Sequence, residues 1–155
     1  MFKKFLEYFY SYLLALTLFG IVFSVSLQVF FRYVLNSPLI WTDEMSRLSF
    51  CWFTFTGSAL ATLENKHLEV NFFYNKFSVK SKLAVNIFSN IIILIFTIIL
   101  LIYSMLQIIS LHGVRSASTR MPLVFFAIPI FLGFAGIAYF TLNRLINIRK
   151  EENNA

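Results

Sequence analysis

Hydrophobic residues fill long uninterrupted runs in this chain, and charged residues mark where the runs end. Reading between charges gives four runs, Tyr8–Phe31, Leu48–Leu63, Leu83–Leu111 and Met121–Asn143, which predict spans at about 8–33, 42–63, 83–111 and 121–144. A helix needs about 20 mostly apolar residues to cross the ~30 Å hydrocarbon core of a bilayer. The first, third and fourth segments have that length, and the third is long enough to tilt or project beyond the bilayer. The apolar part of the second is only Leu48–Leu63, between Arg47 and Glu64, so it must borrow length from the residues before it. In "WTDEMSRL", Thr42 reads as an N-cap, with Asp43 and Glu44 in the first turn against the helix dipole. Trp41, Met45, Leu48, Trp52 and Phe55 recur at helical period as an apolar seam. Glu44, Arg47, Cys51, Thr54 and Ser58 line a small, polar stripe beside it. The pattern predicts one helix over 41–63, or a helix bent near residue 50, whose first turns are amphipathic enough to lie in the membrane interface. Pro122 falls near the first turn of the fourth segment, where a missing N–H costs little. Pro129, followed by Gly133 and Gly136, marks a kink and a close-packing site.

These elements predict an all-α integral membrane protein with four transmembrane helices. They form a single membrane domain over 1–155, with an amphipathic interfacial stretch between helices 1 and 2. Composition agrees: 59% of residues are hydrophobic, 13% are charged, and the mean hydropathy is +0.76. Soluble domains carry about a quarter charged residues. The N-terminus has the basic start of a signal peptide. Its charge-free run from Tyr8 to Phe31 outlasts a typical signal core, however, and no A-x-A-like cleavage site follows, so a retained first transmembrane helix is expected.

The net charge of +6 does not point to nucleic acid, because the basic residues flank the apolar runs instead of forming one patch. Nine Lys and Arg fall in the two tails and the middle loop, and four in the other two loops. By the positive-inside rule, both termini are expected to be cytoplasmic and residues 31–47 to face outside.

Little in the chain can carry chemistry. The single Cys51 excludes an internal disulfide and CxxC redox chemistry, and reads as a packing residue. His67 and His112 lie on opposite sides by the topology above, so they cannot share a haem, and no cluster has metal-ligand spacing. There is no Gly-rich phosphate loop and no G-x-S-x-G. No catalytic residue, cofactor or metal is therefore expected. No charged residue lies well inside a span, which suits a transporter acting alone poorly. Thr17, Ser24, Gln28 and Arg32 share one face of the first helix, read as a helix–helix seam ending in a headgroup-level Arg rather than a conduction stripe. Asn86 and Asn90 are expected to hydrogen-bond between helices.

What remains is "FRYVLNSPLIWTDEMSR", residues 31–47, which holds four of the chain's charges. Asn36-Ser37-Pro38 is a turn signal. Arg32 can return to Asp43 or Glu44, Glu44 and Arg47 form an i,i+3 pair, and Trp41 can anchor at the interface. On the residues alone, loop staples and a docking surface are equally good readings.

At these residues the sequence resembles the small, Q-type membrane subunit of tripartite ATP-independent periplasmic (TRAP) transporters. Gln28, "RYVLNSPLIWTDEMSR", "LSFCWFTFTGSALA", Lys66 and "HLEVN" follow the family pattern, most specifically in the NSP-x-x-W-T-[DE]-E-x-x-R core. Departures are Ile40 where Pro is common, Asp43 for the first Glu, and Asn71 for a frequent Asp. The resemblance implies a non-catalytic scaffold subunit in the bacterial inner membrane. A large M-type subunit would carry the substrate and sodium sites and move them by an elevator motion. A periplasmic P-type binding protein would deliver an organic acid: a C4-dicarboxylate, a sialic acid or a related carboxylate. Expected partners are those two proteins and membrane lipids. The candidate interface or docking residues are Gln28, Arg32, Asn36, Pro38, Trp41, Asp43, Glu44, Arg47, Trp52, Lys66 and His67. Alternatives are the small subunit of a tripartite tricarboxylate transporter, which lacks that core, and a four-helix anchor of a redox complex. A stand-alone multidrug exporter is disfavoured by the absence of an intramembrane Glu.

Overall fold

The computed structural model describes residues 2–64 and 79–153, which form four helices: α1 (Phe2–Tyr33), α2 (Ile40–Leu63), α3 (Val79–Ser110) and α4 (Val124–Asn153). The one β-type pairing among the described residues is a bridge between Arg115 and Pro122. Three helices contain stretches long and apolar enough to cross a membrane, Lys4–Tyr33, Val85–Ser110 and Val124–Ile148. The chain is a multi-pass, all-α membrane protein.

Its helices stop where local chemistry makes them stop. After α1, the Ser37 N–H donates to the Phe31 carbonyl at 3.0 Å while Asn36 takes φ 48°. This is the left-handed helix terminator, a position Asn tolerates, and the following Pro38 cannot resume the helix. The "NSP" turn signal is therefore a helix stop. Leu39 is extended and serves as the N-cap of α2 without a side-chain bond. The expectation for Thr42 was wrong: α2 has already begun, and the Thr42 hydroxyl, fully buried, donates back to the Leu39 carbonyl at 2.7 Å. Pro122 likewise lies outside its helix, because the bridge to Arg115 holds it in the α3–α4 connection and α4 begins at Val124. α2 is continuous from Ile40 to Leu63, and α4 continues through Pro129.

Small residues set how closely the helices approach. A Cβ at Gly20 would sit 2.8 Å from Ser49 Oγ, and one at Gly57 would sit 3.4 Å from a Leu14 methyl. These pairs run in opposite directions along α1 and α2, so the two helices are antiparallel. Gly133 abuts Phe55, and Gly136 abuts Ala59, so α2 and α4 run parallel. The Phe55 and Phe134 rings meet edge-to-face at 5.4 Å, and Tyr10 meets Phe140 at 6.3 Å. Helix directions thus alternate, placing the α1–α2 and α3–α4 connections at one end of the molecule and both termini at the other. α2 is less apolar than the others yet lies beside α1 and α4 along the same depth. Its most buried side is Thr42, Thr56, Ala59, Leu60, Thr62 and Leu63. The seam expected from sequence is only its flank, with Trp41 exposed and Met45, Leu48, Trp52 and Phe55 half-buried.

The neighbour order is α1, α2, α4, α3, an open row and not a closed bundle. Several polar side chains inside it bond within their own helices. Asn90, Thr97 and Ser104 recur every seven residues on the buried side of α3. Thr97 and Ser104 donate to the carbonyls of Ile93 and Leu101, at 2.6 and 2.8 Å. Asn90 donates to the carbonyl and side-chain oxygens of Asn86, at 2.8 and 2.7 Å, so this pair bonds along one helix and not between helices as expected. Where lipid replaces water, such back-bonds remove the cost of an unpaired group and leave small surfaces for packing.

Candidate functional site

The connection end joins residues that lie far apart in sequence. Glu44, just past the first turn of α2, accepts hydrogen bonds from the hydroxyls of Ser116 and Thr119 and from the Thr119 backbone N–H at 3.2 Å. The loop is built to present these donors. The Ser116 N–H donates to the Met121 carbonyl at 2.8 Å, and the Leu123 N–H to the Val114 carbonyl at 3.0 Å, closing a hairpin-like turn. Within it the Ser116 hydroxyl accepts from the Ser118 N–H, and the Thr119 hydroxyl accepts from the Met121 N–H. Each hydroxyl is thereby oriented to spend its proton on Glu44, as in turns where Ser or Thr replaces a backbone partner. Gly113 and Arg120, at φ 82° and 55°, supply the left-handed bends.

Hydrogen bonds to an ionised carboxylate favour its charged form. The Ser116 hydroxyl, then the Thr119 hydroxyl, hold the Glu44 carboxyl down to about 2, well below the ordinary glutamate value. Glu44 sits before the apolar part of α2, facing the loop. It is an acceptor hub that fastens the α1–α2 hairpin to the α3–α4 hairpin. The expected Glu44–Arg47 pair gives way to a different one: Arg47 pairs with Asp43 at i,i+4, on an exposed surface. The reason is geometric, because Glu44 faces α4's approach loop while Asp43 and Arg47 share the open side. Arg32, at the end of α1, is exposed and makes no ion pair among the described residues, so it does not return to Asp43 or Glu44.

The other candidates separate by role. Asn36 and Pro38 end α1 and are exposed, Trp41 is 44% exposed, and Gln28 and Trp52 are half-buried. Lys66 and His67 lie outside the described residues. Ser116 and Thr119 were missed by sequence reasoning, although "RSASTR" is the one hydroxyl-rich stretch in the connection opposite "TDE". Among the described residues no group of three His, Cys, Asp or Glu could hold a metal. The site can bind and brace, with no nucleophile–base pair in it.

Comparison with known proteins locates this architecture. Over 68 residues the chain is 31% identical to the sialic acid TRAP transporter small permease protein SiaQ of Vibrio cholerae, covering 44% of this chain and 39% of that protein. Over 52 residues it is 44% identical to a protein of Haemophilus influenzae provisionally named as a TRAP transporter small permease, covering 34% and 32%. It is also 29% identical over 80 residues to the sialic acid TRAP transporter permease protein SiaT of Haemophilus influenzae, covering 51% of this chain but 13% of that much longer protein. The matched stretches thus span well under half of each relative's length. The family described as "Tripartite ATP-independent periplasmic transporters, DctQ component" matches residues 21–151. That span takes in all of α2 and α3, most of α4, the C-terminal 13 residues of α1 and the Glu44 hub, and the chain belongs to this family of transporter components.

Proposed function

We propose that this chain is the scaffold subunit of a sodium-coupled TRAP transporter in the bacterial inner membrane. It packs on a large elevator-type subunit and braces it while substrate crosses; it is not an enzyme. The cargo is an organic acid delivered by a periplasmic binding protein, and a sialic acid is the first candidate because two relatives carry that name. One observation carries the reading. The helices form an open row whose apolar interior, between the terminal charges, contains no ionisable Asp, Glu, Lys, Arg or His. A carrier of sodium and a carboxylate needs charges or broken helices at mid-membrane. A brace needs only surface, and α1 and α3 present Phe19, Phe23, Phe88 and Phe96 outward. The match to part of a much longer permease supports a large partner, since the same kind of segment occurs there within one chain.

The test is uptake of labelled sialic acid into proteoliposomes holding the large subunit, with binding protein outside and an inward sodium gradient. Uptake is expected to collapse when this chain is omitted and to return when it is added. Unchanged uptake without it would overturn the scaffold role. Uptake of a C4-dicarboxylate in place of sialic acid would reassign the cargo and leave the scaffold role standing.

A further inference from the structure

We propose that the α3–α4 hairpin carries a binding site for one anionic phospholipid. A groove of about 390 Å³ opens at the connection end, with His112, Val114 and Arg115 on the loop side and Pro122, Phe125 and Ile128 on the α4 side. Its polarity is graded by depth. Phe125 and Ile128 belong to the first turns of the apolar span Val124–Ile148. His112 and Arg115 lie beyond Ser110, where the apolar span of α3 ends. The floor therefore sits at upper acyl-chain depth and the cationic rim at headgroup depth.

Arg115 is held at its base and free at its tip. Its backbone pairs with Pro122 in the bridge, while its exposed guanidinium makes no ion pair among the described residues. A guanidinium at this depth matches a phosphodiester through two parallel hydrogen bonds. A small free anion would leave the apolar floor bare, and an apolar helix would leave the guanidinium unmatched. A lipid with an anionic head and an acyl chain answers both. The site is separate from the Glu44 hub, and it stands whether or not the chain acts as a transporter scaffold.

The experiment is native mass spectrometry of the full-length chain in detergent, titrated with dioleoyl phosphatidylglycerol or dioleoyl phosphatidylcholine. One phosphatidylglycerol should be retained in preference to phosphatidylcholine. Arg115→Gln should weaken phosphatidylglycerol binding roughly fivefold, the worth of one Arg near an anionic headgroup, and leave phosphatidylcholine unchanged. Ile128→Trp, which fills the floor, should weaken both lipids. Arg32→Gln removes a cation at the same end but outside the groove, and should change neither. Equal retention of the two lipids by the parent chain would overturn the proposal. So would an Arg32→Gln loss as large as that of Arg115→Gln, or a photo-crosslinker at residue 128 that captures protein instead of lipid in membranes.

Discussion

At Glu44, three donors converge on one carboxylate: the Ser116 and Thr119 hydroxyls and the Thr119 N–H. Because the folded value is lowered from 4.5 to about 2, the stabilisation is fully present above 4.5 and is lost as pH falls from there through 2. The protection of amides in loop 116–121, taken as the observed exchange rate relative to the intrinsic rate at the same pH, should therefore be flat between pH 5 and 8 and fall only below 4.5. Glu44→Gln, which replaces one acceptor oxygen with a competing donor, should speed that exchange at neutral pH. Asp43→Asn, which touches only the exposed pair with Arg47, should leave it unchanged. Equal effects of the two substitutions would demote the hub to a surface contact. The hub was only half legible in the sequence. Periodicity marks Glu44 as part of a polar stripe, but local rules name partners three or four residues away, and its real partners are 72 and 75 residues distant. Asn36 and Pro38 were legible as a turn because their effect is local: one tolerates the left-handed bend and the other blocks the next turn.

Between helices, glycine positions rank the closeness of each crossing. A Cβ at Gly133 would lie 2.7 Å from Phe55 Cβ and 2.9 Å from the Phe55 carbonyl oxygen, and backbone cannot step aside. At Gly20 the obstacle is the Ser49 hydroxyl at 2.8 Å, which can rotate, and at Gly57 the nearest atom lies at an ordinary 3.4 Å. Alanine substitutions should therefore destabilise in the order Gly133, Gly20, Gly57. The first should cost about 1–3 kcal/mol, as overpacking does, and the last little. Thermal unfolding in detergent, followed by loss of helical signal, measures the order, and an equal response at Gly57 and Gly133 would contradict the α2–α4 crossing. The sequence already marked Gly133 and Gly136 for close packing. It could not reveal that the partner is α2 running parallel, because neighbour order in a row of helices depends on which faces meet. The buried threonine face of α2 was hidden for a related reason. A hydroxyl bonded to its own helix, as Thr56 is to Trp52 and Thr62 to Ser58, behaves as a small apolar surface that hydropathy scores as polar.

For the molecule as a whole, four alternating helices put both termini opposite the two tight connections. α2 decides the count, since among the described residues three helices qualify as spans by composition and α2 is not one of them. If α2 crosses with its neighbours, Phe2 and Asn153 share one side; if it lies on the surface, three crossings leave them on opposite sides. Packing argues for four. The apolar part of α2, from Leu48 just past Arg47 to Leu63, packs against Gly133 and Gly136 of α4 and is about 22 Å of helix at 1.5 Å per residue. That covers most of the hydrocarbon core, with Trp41 and Arg47 left at one interface. The surplus of Lys and Arg in the tails and the middle loop then predicts cytoplasmic termini. Single cysteines in a Cys51→Ser background, probed with a membrane-impermeant maleimide on spheroplasts, measure this directly. Ser37→Cys and Ala117→Cys should label from outside, and Phe2→Cys and Asn153→Cys only after permeabilisation. Labelling of Phe2→Cys and Asn153→Cys from opposite sides would reduce the chain to three crossings. It would also remove the geometric basis for an α2 that braces the row through the membrane's full depth.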